Sequence, residues 1–278
     1  VRADLEALPV RRRALGGAWA RNAYVHLPAA RLPLALARLH AAMAVGAPLA
    51  LSMLSGHGEE GPLPDDDLAG RFFALWEPAH LVAVVEGAGF DAVRVTRDSD
   101  AGTGRPALWV WGRRARTLPD FVGPGMRALV CGLNPSLVAA DAGYGYAGPT
   151  NRFWAAATAA GLVSRPRDPW QALAEDRVGM TCLVKRATPR SRLLSGQEYR
   201  HGAARVERLV GWLQPGVVLL VGLEGWRAVA GARATAGWQA SGFGGRPAYV
   251  MPSTSGLNAH ATLAGLVAHI RAAIEPGP

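Results

Sequence analysis

Apolar residues recur along this chain in two rhythms, and their alternation predicts an α/β protein. "RALVCGL" (127–133), "GMTCLV" (179–184), "GVVLLVG" (216–222) and "PAYVMP" (247–252) are short, nearly continuous apolar runs. That is the pattern of strands covered on both faces. Between them, "TNRFWAAATAAGL" and "GAARVERLVGWL" carry helical spacing, and "LAGLVAHIRAAI" closes the chain in the same way. Thr150 or Asn151 suits the N-cap of the first helix and Gly161 its stop. Strand–helix alternation of this kind predicts a three-layer α/β/α domain around a short parallel sheet.

The preceding residues alternate too. "GGAWARNAYVHL" reads as a strand entering a loop, "RLPLALARLHAAMAVG" as an amphipathic helix stopped by Gly46, and "APLALSML" as a strand. The acidic loop "SGHGEEGPLPDDDLAG" follows, then a helix in "EPAHLVAVVEGAGF". "DAVRVTRD" and "PALWVWGRR" read as a hairpin with a Gly-containing turn. "RRARTLPDFVGPG" mixes charge, proline and glycine and is the natural boundary, giving domains 1–118 and 119–278.

Charge sharpens the division. Residues 1–118 hold 14 basic and 12 acidic side chains, residues 119–278 hold 16 and 9, so a polyanionic partner is expected at the second half. Lys185 is the only lysine, which leaves no second one for Schiff-base chemistry or a lysine-bearing phosphate loop. Cys131 and Cys182 are too few for a four-thiolate cluster and lie in apolar runs, as reduced thiols do. The longest apolar stretch, 41–54, is broken by Gly46 and Pro48 and too short to span a bilayer. A cytoplasmic protein with no membrane partner is expected. The chain opens on Val1 rather than methionine, which fits a segment trimmed upstream.

In open parallel sheets, ligands bind beyond the carboxyl ends of the strands. Those ends carry "LNPS", "CLVKRATP" and "MPSTSGLN", three polar or basic loops expected to meet at one site. Asn134 is either a catalytic amide there or a plain strand-end turn former.

Two resemblances then emerge. "ADLEALP" and "GAGFDAVRV" make residues 1–118 resemble the C-terminal half of a class I S-adenosylmethionine-dependent methyltransferase, a partial Rossmann-like segment. The Gly-rich loop that such a fold uses to approach its cofactor is absent from the sequence, and Asp4 alone would represent the adenosine surface. A scaffold or docking role follows, and the open edge of a half-sheet should dimerise, pair with the second domain or be poorly ordered. "GLNPSLVAADAGYGYAGPTNRFW", without gaps over 23 residues, resembles the first motif of the mismatch-specific uracil/thymine DNA glycosylases. "MTCLVKRATP" and "MPSTSGLNA" resemble their second strand and their late DNA-penetrating loop, so the likeness spans about 125–275.

This second resemblance implies base removal from an everted nucleotide. Asn134 would position the attacking water, since an amide is no strong general base. Tyr146 would stack on the base, unless it is a core tyrosine. Leu133, Asn151, Cys182 and Ser253 would complete the substrate pocket, Asn151 serving otherwise as a helix cap. Leu257 would wedge into the duplex beside Gly256, with Asn258 near the widowed guanine. Lys185, Arg186, Arg190 and Arg192 suit phosphates or form a solvated basic loop. Ser136, Cys182 and Ala139 depart from the family pattern and leave the choice among uracil, thymine and modified pyrimidines open. The expected function is that of a monofunctional glycosylase acting on double-stranded DNA with G/U or G/T mismatches, using no cofactor and no metal. The alternatives are a non-catalytic binder of distorted DNA and a remnant methyltransferase.

Overall fold

The computed structural model describes residues 3–64, 66–99, 106–231 and 233–275, and the chain divides into two compact units, Val1–Ala115 and Arg116–Pro278. The fold is α/β in both, each built on its own sheet.

The first unit runs β1 (Ala18–Ala20), α1 (Leu32–Ala42), β2 (Pro48–Ser55), β3 (Glu60–Pro62), β4 (Phe72–Trp76), α2 (Pro78–Gly87), β5 (Phe90–Ser99) and β6 (Pro106–Arg114). Its sheet is ordered β3-β4-β2-β6-β5, with β1 also paired to β2. β1 and β4 run parallel to β2, whereas β6 is antiparallel to both β2 and β5. β5 and β6 pair as the hairpin pattern predicts, and the turn expected between them falls in 100–105, outside the described residues. α1 ends before Gly46 because Met43 turns extended and bridges to Leu15. Glu77 starts α2, its carboxylate accepting from the backbone N–H groups of Ala79 and His80. The strands β3 and β4 escaped the sequence pattern, hidden in and after the acidic loop. β5 carries exposed Asp91, Arg94, Arg97 and Asp98, charges that blunt an open edge. On one face of this sheet Trp19, 66% exposed, lies 5.1 Å from Trp109 and 6.2 Å from Trp111 between ring centroids.

The second unit comprises β7 (Ala128–Gly132), α3 (Leu137–Ala142), α4 (Phe153–Ala159), α5 (Pro169–Ala174), β8 (Val178–Cys182), α6 (Gly196–Leu213), β9 (Val217–Val221), α7 (Leu223–Ala230), β10 (Gly237–Phe243), β11 (Arg246–Met251) and α8 (Leu263–Ile274). The sheet order is β10-β11-β9-β7-β8; the last four are parallel and β10 is antiparallel at the edge. β7 and β9 are buried at every position, as continuous apolar runs require. Phe153, Trp154 and Ala157 of α4 join Leu266 and Ile270 of α8 in one core with Val130, Met180 and Leu219. α6 completes the layering and passes so close to the end of β8 that a Cβ at Gly202 would overlap the Leu183 carbonyl. Ser195 and Glu198 start α6 with a reciprocal capping box. The result is a three-layer α/β/α domain whose parallel strands end together.

Candidate active site

Beyond the ends of β7, β8, β9 and β11 lies a cavity of about 290 Å³, lined entirely by second-unit residues. Its walls are Gly132–Ser136, Tyr146, Asn151, Thr181–Cys182, Thr188–Ser191, Val221 and Ser253–Gly256, among others. The three loops expected to converge do so. The first two are joined by backbone hydrogen bonds: Leu183 N–H donates to Gly132 O, Val184 N–H to Leu133 O and Thr188 N–H to Pro135 O, at 2.9–3.1 Å.

That seam fixes Asn134. Its Nδ2 donates to Arg186 O at 3.0 Å, to Thr188 Oγ1 at 2.8 Å and to Pro135 O at 3.2 Å. A carbonyl only accepts, so the nitrogen must face the loop after β8 and Oδ1 must face away from it. Thr188 in turn donates its hydroxyl to Arg190 O at 3.0 Å, which leaves it accepting from Asn134. Oδ1 accepts from no described protein donor, and Asn134 lines the cavity. An oriented amide oxygen at a cavity wall can hold a water by its proton. Leu133, by contrast, turns its side chain toward α7, where a Cβ at Gly225 would overlap it.

Tyr146 stacks on buried Phe153, with centroids 4.0 Å apart and planes 21° apart. It is partly buried, packs against the core and also lines the cavity. Its backbone is left-handed (φ +59°), uncommon for so bulky a residue. The phenol oxygen is buried without a partner beside Gly132 and the Cys182 thiol, and burial, with the neighbouring thiols adding, pushes its pKa well above the ordinary tyrosine value. Burial likewise raises Cys182 to about 11, so it meets the cavity as a neutral thiol. Ser136 caps α3, accepting from Ala139 N–H at 3.1 Å, so its hydroxyl is engaged with the helix.

Behind Cys182 lies a charge network that the sequence did not announce. Asp120 accepts from Arg205 Nη1 at 2.6 Å, Lys185 Nζ at 2.7 Å and Thr181 Oγ1 at 2.5 Å. Arg205 also donates to Cys182 O at 2.8 Å. Burial alone would raise the Asp120 pKa; the charges of Arg205 and Lys185, with the hydrogen bonds of Lys185 and Thr181, hold it below the ordinary range. Burial pulls Lys185 down from the usual lysine value against the pull of Asp120. This corrects the assignment of Lys185 to phosphate: its half-buried ammonium is engaged in an ion pair with Asp120. Arg186 is also committed, forking onto Glu198 at 2.6 and 3.0 Å. That pair, together with the Ser195 N–H, lowers Glu198 to about 2. Arg190 and Arg192 are exposed and carry no ion pair among the described residues.

The late loop presents Leu257 at 92% exposure. Gly256 is a glycine because Thr150 fills the space a Cβ would need, so its smallness serves the loop's own packing. Asn258 Nδ2 donates to Ser253 O at 2.9 Å and closes the loop, and Ser253 Oγ accepts from Ser255 N–H at 3.3 Å. Asn151 Oδ1 accepts from Phe153 N–H at 2.9 Å and Thr254 Oγ1 at 3.0 Å. Its oxygen is thus spent on structure, and only its Nδ2 remains for a base edge. Arg152, Thr188, Asp120 and Arg205 were missed by sequence reasoning. Of these, Arg152 alone had a visible signal, its place inside "TNRFW".

Comparison with known families matches residues 119–274 to the Uracil DNA glycosylase superfamily. The chain belongs to that superfamily. The match covers the whole parallel sheet and every wall of the cavity except Leu118. Solved methyltransferases also show likeness to part of the chain. One is the Burkholderia thailandensis 1,6-didemethyltoxoflavin-N1-methyltransferase, 21% identical over 41% of this chain and 50% of its own, with a TM-score of 0.35. Another is a SAM-dependent methyltransferase of Methanosarcina mazei, 10% identical over 41% of this chain and 66% of its own, with a TM-score of 0.34. The chain therefore spans between half and two thirds of the length of these methyltransferases. Among the described residues no helix is long and apolar enough to cross a membrane.

Proposed function

We propose that the second unit is a mismatch-specific, monofunctional DNA glycosylase that hydrolyses the N-glycosidic bond of uracil opposite guanine. The observation that carries this reading is the orientation of Asn134. With Nδ2 held by Arg186 O and Thr188 Oγ1, Oδ1 is directed to accept a hydrogen bond from water without reorganising during the reaction. The everted base enters the cavity against Tyr146, and the water attacks the sugar carbon as the bond to the base breaks, its surplus proton passing to bulk water. The departing pyrimidine anion takes hydrogen bonds from donors left on the walls, of which Asn151 Nδ2 has no partner among the described residues. An amide removes no proton by itself, so the enzyme is slow and favours weakly paired bases. The ion pair of Lys185 with Asp120 holds its amine away from the sugar, which supports hydrolysis without strand cleavage. Leu257 fills the gap in the duplex, and Arg190 and Arg192 meet phosphates.

The test is a G·U duplex incubated with the protein, treated with alkali and read for a break at the uracil. Cleavage should appear with the native chain and fall at least about 100-fold in Asn134→Ala, the scale of losing a preorganised polar group. Binding of the mismatch by the native chain without a break would replace this reading with that of a non-catalytic mismatch binder.

A further inference from the structure

Three consecutive residues, Thr150, Asn151 and Arg152, grip the late loop by three different means. Thr150 packs where a Cβ on Gly256 would stand. Asn151 Oδ1 receives the Thr254 hydroxyl at 3.0 Å. Arg152 does most: its backbone N–H donates to Thr254 O at 3.0 Å, and its guanidinium donates to Ser255 O at 3.0 Å, to Asn258 O at 2.7 Å and to Ala261 O. A planar guanidinium is the one side chain that can hold several carbonyls in a fixed fork, and each charge-assisted bond is stronger than a neutral one. These carbonyls bracket Leu257, whose side chain touches little of its own protein.

The same segment carries the pocket wall. Phe153, next in sequence, backs Tyr146 at 4.0 Å, and Asn151 Oδ1 binds the Phe153 N–H while holding Thr254. The loop and the stacking wall are thus parts of one body, fastened at 150–153.

We infer that Thr150, Asn151 and Arg152 form a latch that holds the Leu257 loop in its wedge posture and in register with the Tyr146 wall. Arg152 is then a positioning residue for base eversion. The inference rests on the reading of this site as a glycosylase that enters duplex DNA. It reassigns Asn151 mainly to the latch, and it explains why an arginine with no route to phosphate stands beside the site. Opening a duplex needs a stiff wedge, whereas a uracil already unpaired does not.

The experiment compares single-turnover excision from a G·U duplex and from single-stranded uracil DNA for the native chain, Arg152→Gln, Leu257→Ala and the double variant. Loss of several charge-assisted bonds should slow Arg152→Gln roughly 10–100-fold on the duplex. On the single strand it should stay within about 2-fold, since no wedge is required. Because Arg152 acts through Leu257, the double variant should be no slower on the duplex than Leu257→Ala alone. Equal losses on both substrates, no loss on the duplex, or additive losses in the double variant would each overturn the latch. If the native chain cuts neither substrate, the glycosylase reading fails. The latch is then judged by amide hydrogen exchange of the free protein. Faster exchange at 253–261 in Arg152→Gln, with β7 and β8 unchanged, supports it; unchanged exchange in that loop overturns it.

Discussion

The two units use the same alternation of strands and helices and differ in whether a reversed strand falls inside the sheet. In the first, β6 runs antiparallel between β2 and β5 and interrupts the row of strands that share a direction. In the second, the reversed strand is β10, at the edge, and β11, β9, β7 and β8 remain contiguous and parallel. Only there do four neighbouring strands send their carboxyl ends to one place, and that is where the cavity lies. The treatment of polar and aromatic groups differs as well. The first unit leaves Trp19 in solvent and its β5 charges on an edge. The second buries a carboxylate and an arginine together, pairs the carboxylate with a half-buried lysine, and presses Tyr146 onto Phe153. A site arises when parallel winding and a fixed polar interior coincide.

The largest expected break in that contrast comes from Asp120. Replacing it with alanine strands the buried Arg205, and with it the half-buried Lys185, without their counter-charge, a change that costs about 3–5 kcal/mol. Hydrogen exchange read by peptide should show β8 and α6 losing protection while β2 and β6 keep theirs. Acid should act the same way on the native protein. The Asp120 pKa is lowered in the folded state, so its contribution is complete above the ordinary carboxylate value and disappears as pH falls through the folded one. Asp120→Ala should therefore show a shallower loss of second-unit stability on acidification. A variant as acid-sensitive as the native chain would mean that the network does not hold the sheet end together.

How much of this was written in the sequence follows from the range of each interaction. β7, β8, β9 and β11 were legible because a strand covered on both faces is apolar without pause. β10, "GWQASGF", was not, since it is half exposed, contains glycines and is ordered by its pairing with β11. The convergence of three loops could be inferred from strand ends alone. The partner that orients Asn134 could not, because Thr188 stands 54 residues away and looks like any loop threonine. Lys185 was misread for a related reason. Its counter-ion, Asp120, lies in a stretch whose prolines and glycines read as a linker, yet Phe121 pairs with Met180 and brings that stretch against β8.

A smaller effect sharpens the functional half of the comparison. Thr188→Val keeps the shape of a buried side chain but removes the acceptor that fixes the amide of Asn134. Losing one such bond is worth about 1 kcal/mol, so excision of uracil under single-turnover conditions should slow by roughly 5- to 10-fold. Affinity for the duplex should hardly change, because Thr188 is buried and offers the duplex almost no surface. A fall in affinity with an unchanged rate would show that the loop carrying Thr188 serves DNA contact rather than amide orientation.

The smallest effects test whether the two units answer to the same local rules. α2 in the first begins at Glu77, whose carboxylate accepts from Ala79 and His80 N–H, and α6 in the second begins at Ser195 with its reciprocal partner Glu198. Removing either cap leaves helix N–H groups without an acceptor, at a cost of about 1 kcal/mol each. Ser195→Ala carries a further consequence, because Glu198 also holds Arg186, whose carbonyl receives Asn134. It should therefore lower both the stability of the second unit and, by about 2-fold, the rate of excision. Glu77→Ala should reach only the first. Exchange rates and excision measured on the two variants side by side decide the matter: a fall in excision with Glu77→Ala would mean that the first unit supports the site in a way its own sheet does not reveal.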